Sequence, residues 1–134
     1  MNNIFAFLAA SKNGDIIEIK KCIRLCGTTD HKQCLGLAAH YGHIEAVKLL
    51  LANGWTVNHL DESNYAPLHY AADGGKSNMI AFLLEQGADL NLHRVGDYSS
   101  FSKDTAEEVA DKVGKKKEFK RYYSIIQDDM VKIH

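Results

Sequence analysis

The sequence predicts an all-α solenoid: short helix–turn–helix units stacked in a row, with β-hairpin-like fingers projecting between them. Two observations carry this. Slid against itself until Ala38-Ala39 falls on Ala71-Ala72, the chain also places Gly42 on Gly75, Val47 on Ile80 and Leu50-Leu51 on Leu83-Leu84. Gly54 then meets Gly87 and Asn58 meets Asn91. Within that period apolar residues recur at helical spacing, and each run stops at a glycine.

The helix pair of the segment 61–93 is the clearest. Pro67 suits the first turn of a helix, where its missing N–H is not needed. Leu68, Ala71 and Ala72 form one face, the alanines permitting close helix–helix approach, and Gly75 follows as a stop. Ile80, Leu83 and Leu84 define a second helix ending before Gly87. The polar stretch from Asn58 to Asn64 suits a projecting turn. A lone pair of this kind leaves an apolar face open, so neighbours must stack on it. Ala10 and Gly14 precede Ala38 and Gly42 by one shared, slightly shorter offset, with Phe7, Leu8, Ile16, Ile19 and Ile23 supplying a face. Thr105, Ala106, Val109, Ala110 and Gly114 follow Ala66, Pro67, Tyr70, Ala71 and Gly75 by one shared, longer offset. Phe119, Tyr122 and Tyr123 come next, where Ile80, Leu83 and Leu84 stood. The reading is one domain, 1–134, of four repeats at 2–27, 28–60, 61–93 and 94–124 with a tail at 125–134. The outer two act as caps, and Ile125, Ile126, Met130 and Ile133 in the tail have the spacing to dock on the last repeat.

The segment Asp61 to His93 closely resembles the ankyrin repeat, through Ala66-Pro67-Leu68-His69, Ala71-Ala72, Gly75 and Gly87-Ala88-Asp89. The resemblance implies that the first helices and the fingers line a concave face that binds another protein without catalysis. It also implies that His69 ties its helix to the adjacent turn. Ala66 replaces the threonine of that motif and removes the usual hydroxyl partner. Gln33-Cys34-Leu35-Gly36 departs further, with Cys34 in the helix-start position of Pro67. The fingers differ in length: six residues separate Cys26 from Gln33, eleven separate Gly54 from Ala66, and seventeen separate Gly87 from Thr105.

Composition narrows the function classes. The 134 residues (14.9 kDa) are 46% apolar and 25% charged, ordinary for one globular domain. A net charge of −1 removes any whole-chain argument for nucleic acid or an anionic membrane. No apolar run reaches the ~18 residues of a membrane span. The first residues lack the basic start of a signal peptide. Three cysteines argue for a reducing, cytoplasmic setting rather than a disulfide framework.

Cys22, Cys26, His31, Cys34, His40 and His43 cluster in sequence, but their spacing matches no zinc pattern, and neither metal nor cofactor is expected. Phosphate-cradling loops, nucleophile elbows and metalloprotease motifs are missing. Glu107, Glu108 and Asp111 fall at the start of a capping helix, where carboxylates favour the positive helix end. Trp55 stands at a finger base, where packing under the short first finger is the expected role.

The predicted binding residues are Tyr41, Glu62, Tyr65, Asp73 and Lys112 on the first helices and fingers. Arg94, Asp97, Tyr98 and Phe101 join them from the long third finger. Tyrosines supply large contact area at small rotamer cost. The function read from this is a monomeric, non-catalytic module that recruits, blocks or scaffolds a partner protein. One alternative is a microbial regulator, immunity protein or host-directed effector that uses the same surface, in the last case delivered into a host cell. A different class, nucleic-acid binding, would use the basic run Lys112 to Arg121.

Overall fold

A computed structural model describes residues 4–26, 31–94 and 104–133. The described chain forms four helix–turn–helix pairs: α1 (Ile4–Asn13) with α2 (Ile16–Cys26), α3 (Lys32–His40) with α4 (Ile44–Ala52), α5 (Pro67–Asp73) with α6 (Ser77–Glu85), and α7 (Ala106–Lys112) with α8 (Lys116–Ile133). The first helices stack in chain order, α1 on α3, α3 on α5 and α5 on α7, while α2 packs on α4 and α6 on α8. The all-α solenoid is therefore present. The second finger is closed by turns, and there is no strand among the described residues.

One backbone motif recurs in all four pairs and verifies the three offsets read from the sequence. The residue after the glycine donates its N–H to the alanine carbonyl five positions back: Asp15 to Ala10 at 3.0 Å, His43 to Ala38 at 2.9 Å, Lys76 to Ala71 at 3.0 Å and Lys115 to Ala110 at 2.7 Å. This is the glycine-terminated helix end, which needs a left-handed residue. At Gly14 the requirement is double. Its φ is +69°, and a Cβ there would stand 2.5 Å from Nδ1 of His43, which lies over it from the next repeat. Lys76 covers Gly42 and Lys115 covers Gly75 in the same way.

The core runs through all four pairs. Ala38, Ala39, Ala71 and Ala72 are fully buried between first helices, and Val47, Leu50, Ile80 and Leu83 fill the second layer. Each buried Leu or Ile contributes roughly 1.5–3 kcal/mol, so the layer is strong only as a continuous stack. A Cβ on Gly74 would sit 2.2 Å from the His40 carbonyl oxygen, so α5 reaches α3 at its end only because that residue is glycine.

Two local readings change. Cys34 is not at a helix start: α3 begins two residues earlier at Lys32, because no proline sets its first turn, and Cys34 is buried inside it. The tail is not a separate element, since α8 runs unbroken through Ser124 to Ile133 and is 18 residues long against nine for α6. Its Ile125 and Ile126 are half-buried. His69 ties its helix to the neighbouring turns as the resemblance implies, without the hydroxyl that Ala66 lacks. Its Nδ1 accepts the Ala66 N–H at 3.0 Å and its Nε2 lies 3.0 Å from the Asp104 carbonyl of the following finger. Trp55 packs as expected: it is buried, meets Phe7 edge-on at 5.8 Å, and donates to the His31 carbonyl at 2.9 Å.

Candidate protein-binding face

Lys12, His40, Asp73 and Lys112 occupy one position of the repeat, related by the same three offsets as Ala10, Ala38, Ala71 and Ala110, so they form a row along the first helices. His40 Nε2 and Asp73 Oδ2 are 2.8 Å apart and link the second and third repeats. Tyr41, next to His40, is 40% exposed and meets the His40 ring at 4.7 Å. The ammonium of Lys12 lies 5.5 Å from the Tyr41 ring centroid. The first three repeats are therefore joined on this face by Lys12, Tyr41, His40 and Asp73 in contact. Lys112 bonds Asp104 at 2.8 Å; its side chain is largely exposed while the carboxylate is buried.

The second finger builds a second cluster. Asp61 is buried, and its Oδ1 accepts the backbone N–H groups of Ser63 at 2.8 Å and Tyr65 at 3.1 Å. Its Oδ2 accepts the Tyr70 hydroxyl. Burial first, and then that bond to a carboxylate, push the Tyr70 pKa up, so it stays a donor. Asn64 takes the left-handed conformation, φ +61°, that turns the finger, a geometry asparagine tolerates. The Tyr65 ring stacks on His69 at 5.8 Å and meets Tyr70 edge-on at 5.2 Å. The Arg94 guanidinium sits 4.1 Å from the Tyr65 ring centroid and donates to the Ser63 carbonyl at 3.3 Å. A cation over a tyrosine face contributes about 0.5–1 kcal/mol at such half-exposed sites.

Of the predicted residues, the structure brings Tyr65 and Arg94 together, pairs Asp73 with His40 and Lys112 with Asp104, and leaves Tyr41 and Glu62 exposed. Asp97, Tyr98 and Phe101 lie outside the described residues. Lys12, Asp61, Tyr70 and Asp104 were missed as members of the site. Lys12 was within reach, because it shares the repeat position of His40 and Asp73.

The cysteines and histidines serve packing. Burial pushes the Cys34 thiol up to about 12 and raises Cys22. His31 meets Phe7 edge-on, His40 is held by Asp73, and His43 bonds the Lys12 carbonyl at 2.8 Å. Among the described residues no three metal-ligating side chains converge. In the basic run, Lys120 approaches Glu107 at 3.9 Å, while Lys116, Lys117 and Arg121 are exposed. No described helix is long and apolar enough to cross a membrane.

The family model for ankyrin repeats, in three copies, matches residues 6–94. The chain belongs to the ankyrin-repeat family. It is 35% identical over 111 residues to an ankyrin repeat protein of Rickettsia bellii, covering 82% of this chain and 42% of that one. It is 36% identical over 64 residues to the NF-kappa-B inhibitor cactus of Drosophila melanogaster, covering 47% of this chain and 13% of cactus. With protein phosphatase 1 regulatory subunit 27 of Mus musculus it shares 32% over 93 residues, 65% of this chain and 60% of the subunit. The chain thus spans less than two thirds of these relatives' lengths. Ankyrin repeats in general are protein–protein interaction modules, and α7 and α8 continue the stack past residue 94.

Proposed function

We propose that this ankyrin chain is a non-catalytic regulator that acts by occupancy. It would hold a partner protein against the face formed by its first helices and second and third fingers. The observation that carries this reading is the Lys12–Tyr41–His40–Asp73 row: an exposed aromatic set among charges of both signs, mounted on helices whose apolar sides are spent on stacking. Such a surface supplies an anchor and a specificity pattern without presenting a reactive group. Relatives named as an inhibitor and as a regulatory subunit support the same class of action.

The test uses affinity capture from the native host, followed by binding measurements on the captured partner with Tyr41→Ala and Lys12→Glu. Either change is expected to weaken binding about tenfold, near 1.4 kcal/mol, with the melting midpoint lowered by no more than about 5 °C through the lost Lys12–Tyr41 contact. Tyr98→Ala and Phe101→Ala, measured alongside, report the third finger. Undiminished affinity in the first two variants would remove the helical row from the interface. Salt-dependent retention on DNA, lost when Lys116, Lys117 and Arg121 are neutralised, would replace the reading with nucleic-acid binding.

A further inference from the structure

A second surface lies at the opposite end of the helices from the fingers, where the turn from α7 to α8 closes the last pair. Its tip is Val113 and Gly114, and Val113 is 43% exposed. Three exposed lysines follow at once in the chain, and the repeat register shows where each lies. The Lys115 stem lies over Gly75 of the preceding turn. Lys116 shares the position of Ser77, whose hydroxyl bonds the following repeat, so it lies toward the open end of the stack. Lys117 shares the position of Glu45 and Asn78, which stay exposed on the outer side. The three lysines therefore surround an apolar tip. Lys112 leaves it, reaching back along α7 to Asp104.

The acids nearby are turned away from this tip. Glu118 is half-buried beside Gly75. Glu108 and Asp111 share the positions of Gly36 and Ala39, and the following repeat packs against Gly36 through Tyr70, so both acids belong to the open end. Lys120 lies there too, in the position of Lys48 and 3.9 Å from Glu107. On the outer flank, a cleft of about 350 Å³ beside Gly75 carries Lys76 and Arg121 and no acidic side chain among the described residues. The charge left around the tip is positive.

Solubility alone does not account for lysines in these places. The first turn of a helix is its positive end, which acids favour and cations oppose. Glu18 and Glu45 follow that rule at the starts of α2 and α4. At α8 three cations stand in a row ahead of Glu118. Acids there would hydrate the turn and stabilise the helix as well. The lysines run against the helix's own preference, and an anion outside the turn reverses that balance.

We infer that this turn seats the protein on an anionic lipid bilayer, with Val113 entering the headgroup layer and Lys115, Lys116 and Lys117 meeting lipid anions. Nucleic acid fits the patch less well. The tip presents an aliphatic side chain, where a nucleic-acid site uses aromatic rings to stack on bases and arginine forks to hold phosphates. A lysine close to an anionic leaflet strengthens attachment about fivefold, so three give about a hundredfold. Docked in this way, the protein points its fingers away from the bilayer. The turn is separate from the Lys12–Tyr41–His40–Asp73 row and does not depend on it.

The test uses the full chain and vesicles of phosphatidylcholine with and without phosphatidylserine, separated by sedimentation. Binding is expected to be at least about tenfold stronger with phosphatidylserine and to fall as salt rises. Lys116→Glu with Lys117→Glu should cut it at least about tenfold while the melting midpoint holds or rises, since acids suit the start of α8. Val113→Trp supplies a reporter against a silent background, because Trp55 is buried. Its emission should shift to the blue when phosphatidylserine vesicles are added. Equal binding to both vesicle types, retention undiminished in the lysine variant, or an emission unmoved while the protein is bound would each overturn the inference. Tighter retention on duplex DNA than on vesicles, unaffected by Val113→Asp, would also overturn it and assign the patch to nucleic acid.

Discussion

Replacing His69 by leucine removes two hydrogen bonds from the middle of the stack and keeps the volume. The Ala66 N–H points at Nδ1, so Nδ1 is the acceptor and the ring proton sits on Nε2, from which it is donated to the Asp104 carbonyl. In the leucine variant the Ala66 N–H stays buried without a partner, at about 1–3 kcal/mol, while the Asp104 carbonyl keeps the Arg94 N–H at 2.8 Å and loses one bond of about 1 kcal/mol. Leucine returns part of this through its apolar surface, leaving a net loss of about 1–3 kcal/mol. For a chain of this size that corresponds to a melting midpoint lower by about 4–10 °C. Acidity adds a second signature. Burial lowers the His69 pKa below its ordinary 6.5, and a second proton would have to enter at Nδ1, against the Ala66 N–H. The unfolded chain therefore takes up that proton first as pH falls. The stabilisation from His69 is complete above about pH 6.5 and declines from there down to the lower folded-state pKa. The gap between wild type and His69→Leu should accordingly be widest near pH 8 and narrow by pH 5.5. Urea melts at the two pH values, followed by far-ultraviolet circular dichroism, read both quantities. A gap below about 1 kcal/mol at pH 8 would refute the two-bond argument, and a gap independent of pH would refute the protonation argument.

Other expected outcomes follow from single contacts. Trp55→Phe keeps the edge contact with Phe7 but removes the indole N–H bond to the His31 carbonyl, which retains the Cys34 N–H, and should cost about 1 kcal/mol in denaturant melts. Gly75→Ala places a Cβ at φ +64° and 3.0 Å from the Lys115 stem, and should destabilise by about 1 kcal/mol or more by the same measurement. Ala66→Thr gives α5 the cap that Thr105 gives α7; with the backbone already extended at φ −87° and ψ 164°, it should stabilise by about 0.5–1.5 kcal/mol. Cys34 should stay unlabelled by a thiol reagent at neutral pH in the native protein, because burial holds its pKa at about 12, and react once urea unfolds the chain.

The parts legible in the sequence were those that repeat. Ala10, Ala38, Ala71 and Ala110 all accept the same backbone bond, so one period and its two altered offsets carried the helix ends and the core. The row of Lys12, His40, Asp73 and Lys112 was legible by the same rule, though Lys12 was passed over. What periodicity cannot reach is the finger geometry. Tyr65 and Arg94 stand in different repeats and meet only because Asp61 and the left-handed Asn64 turn the second finger back on itself. Nor does composition show that His69 bonds its own helix start and the next finger at once, since Asp104 stands 35 residues further on. Carrying over the position of a proline that the second repeat lacks misplaces the start of α3.

Among the described residues, the bonds that tie one repeat to the next are short-range in sequence. His40 to Asp73, Lys12 to His43, Asn58 to Asp89 and Ser77 to Glu118 span 33, 31, 31 and 41 residues, little more than one period. Folding therefore closes no loop much longer than a single unit, and in a stack of this kind it can begin at any pair and spread to the neighbours. It also makes the array modular in heredity as well as in shape. A duplicated unit inserted between α4 and α5 meets the same two neighbours that existing units meet, so chains of this kind lengthen by copying rather than by redesign.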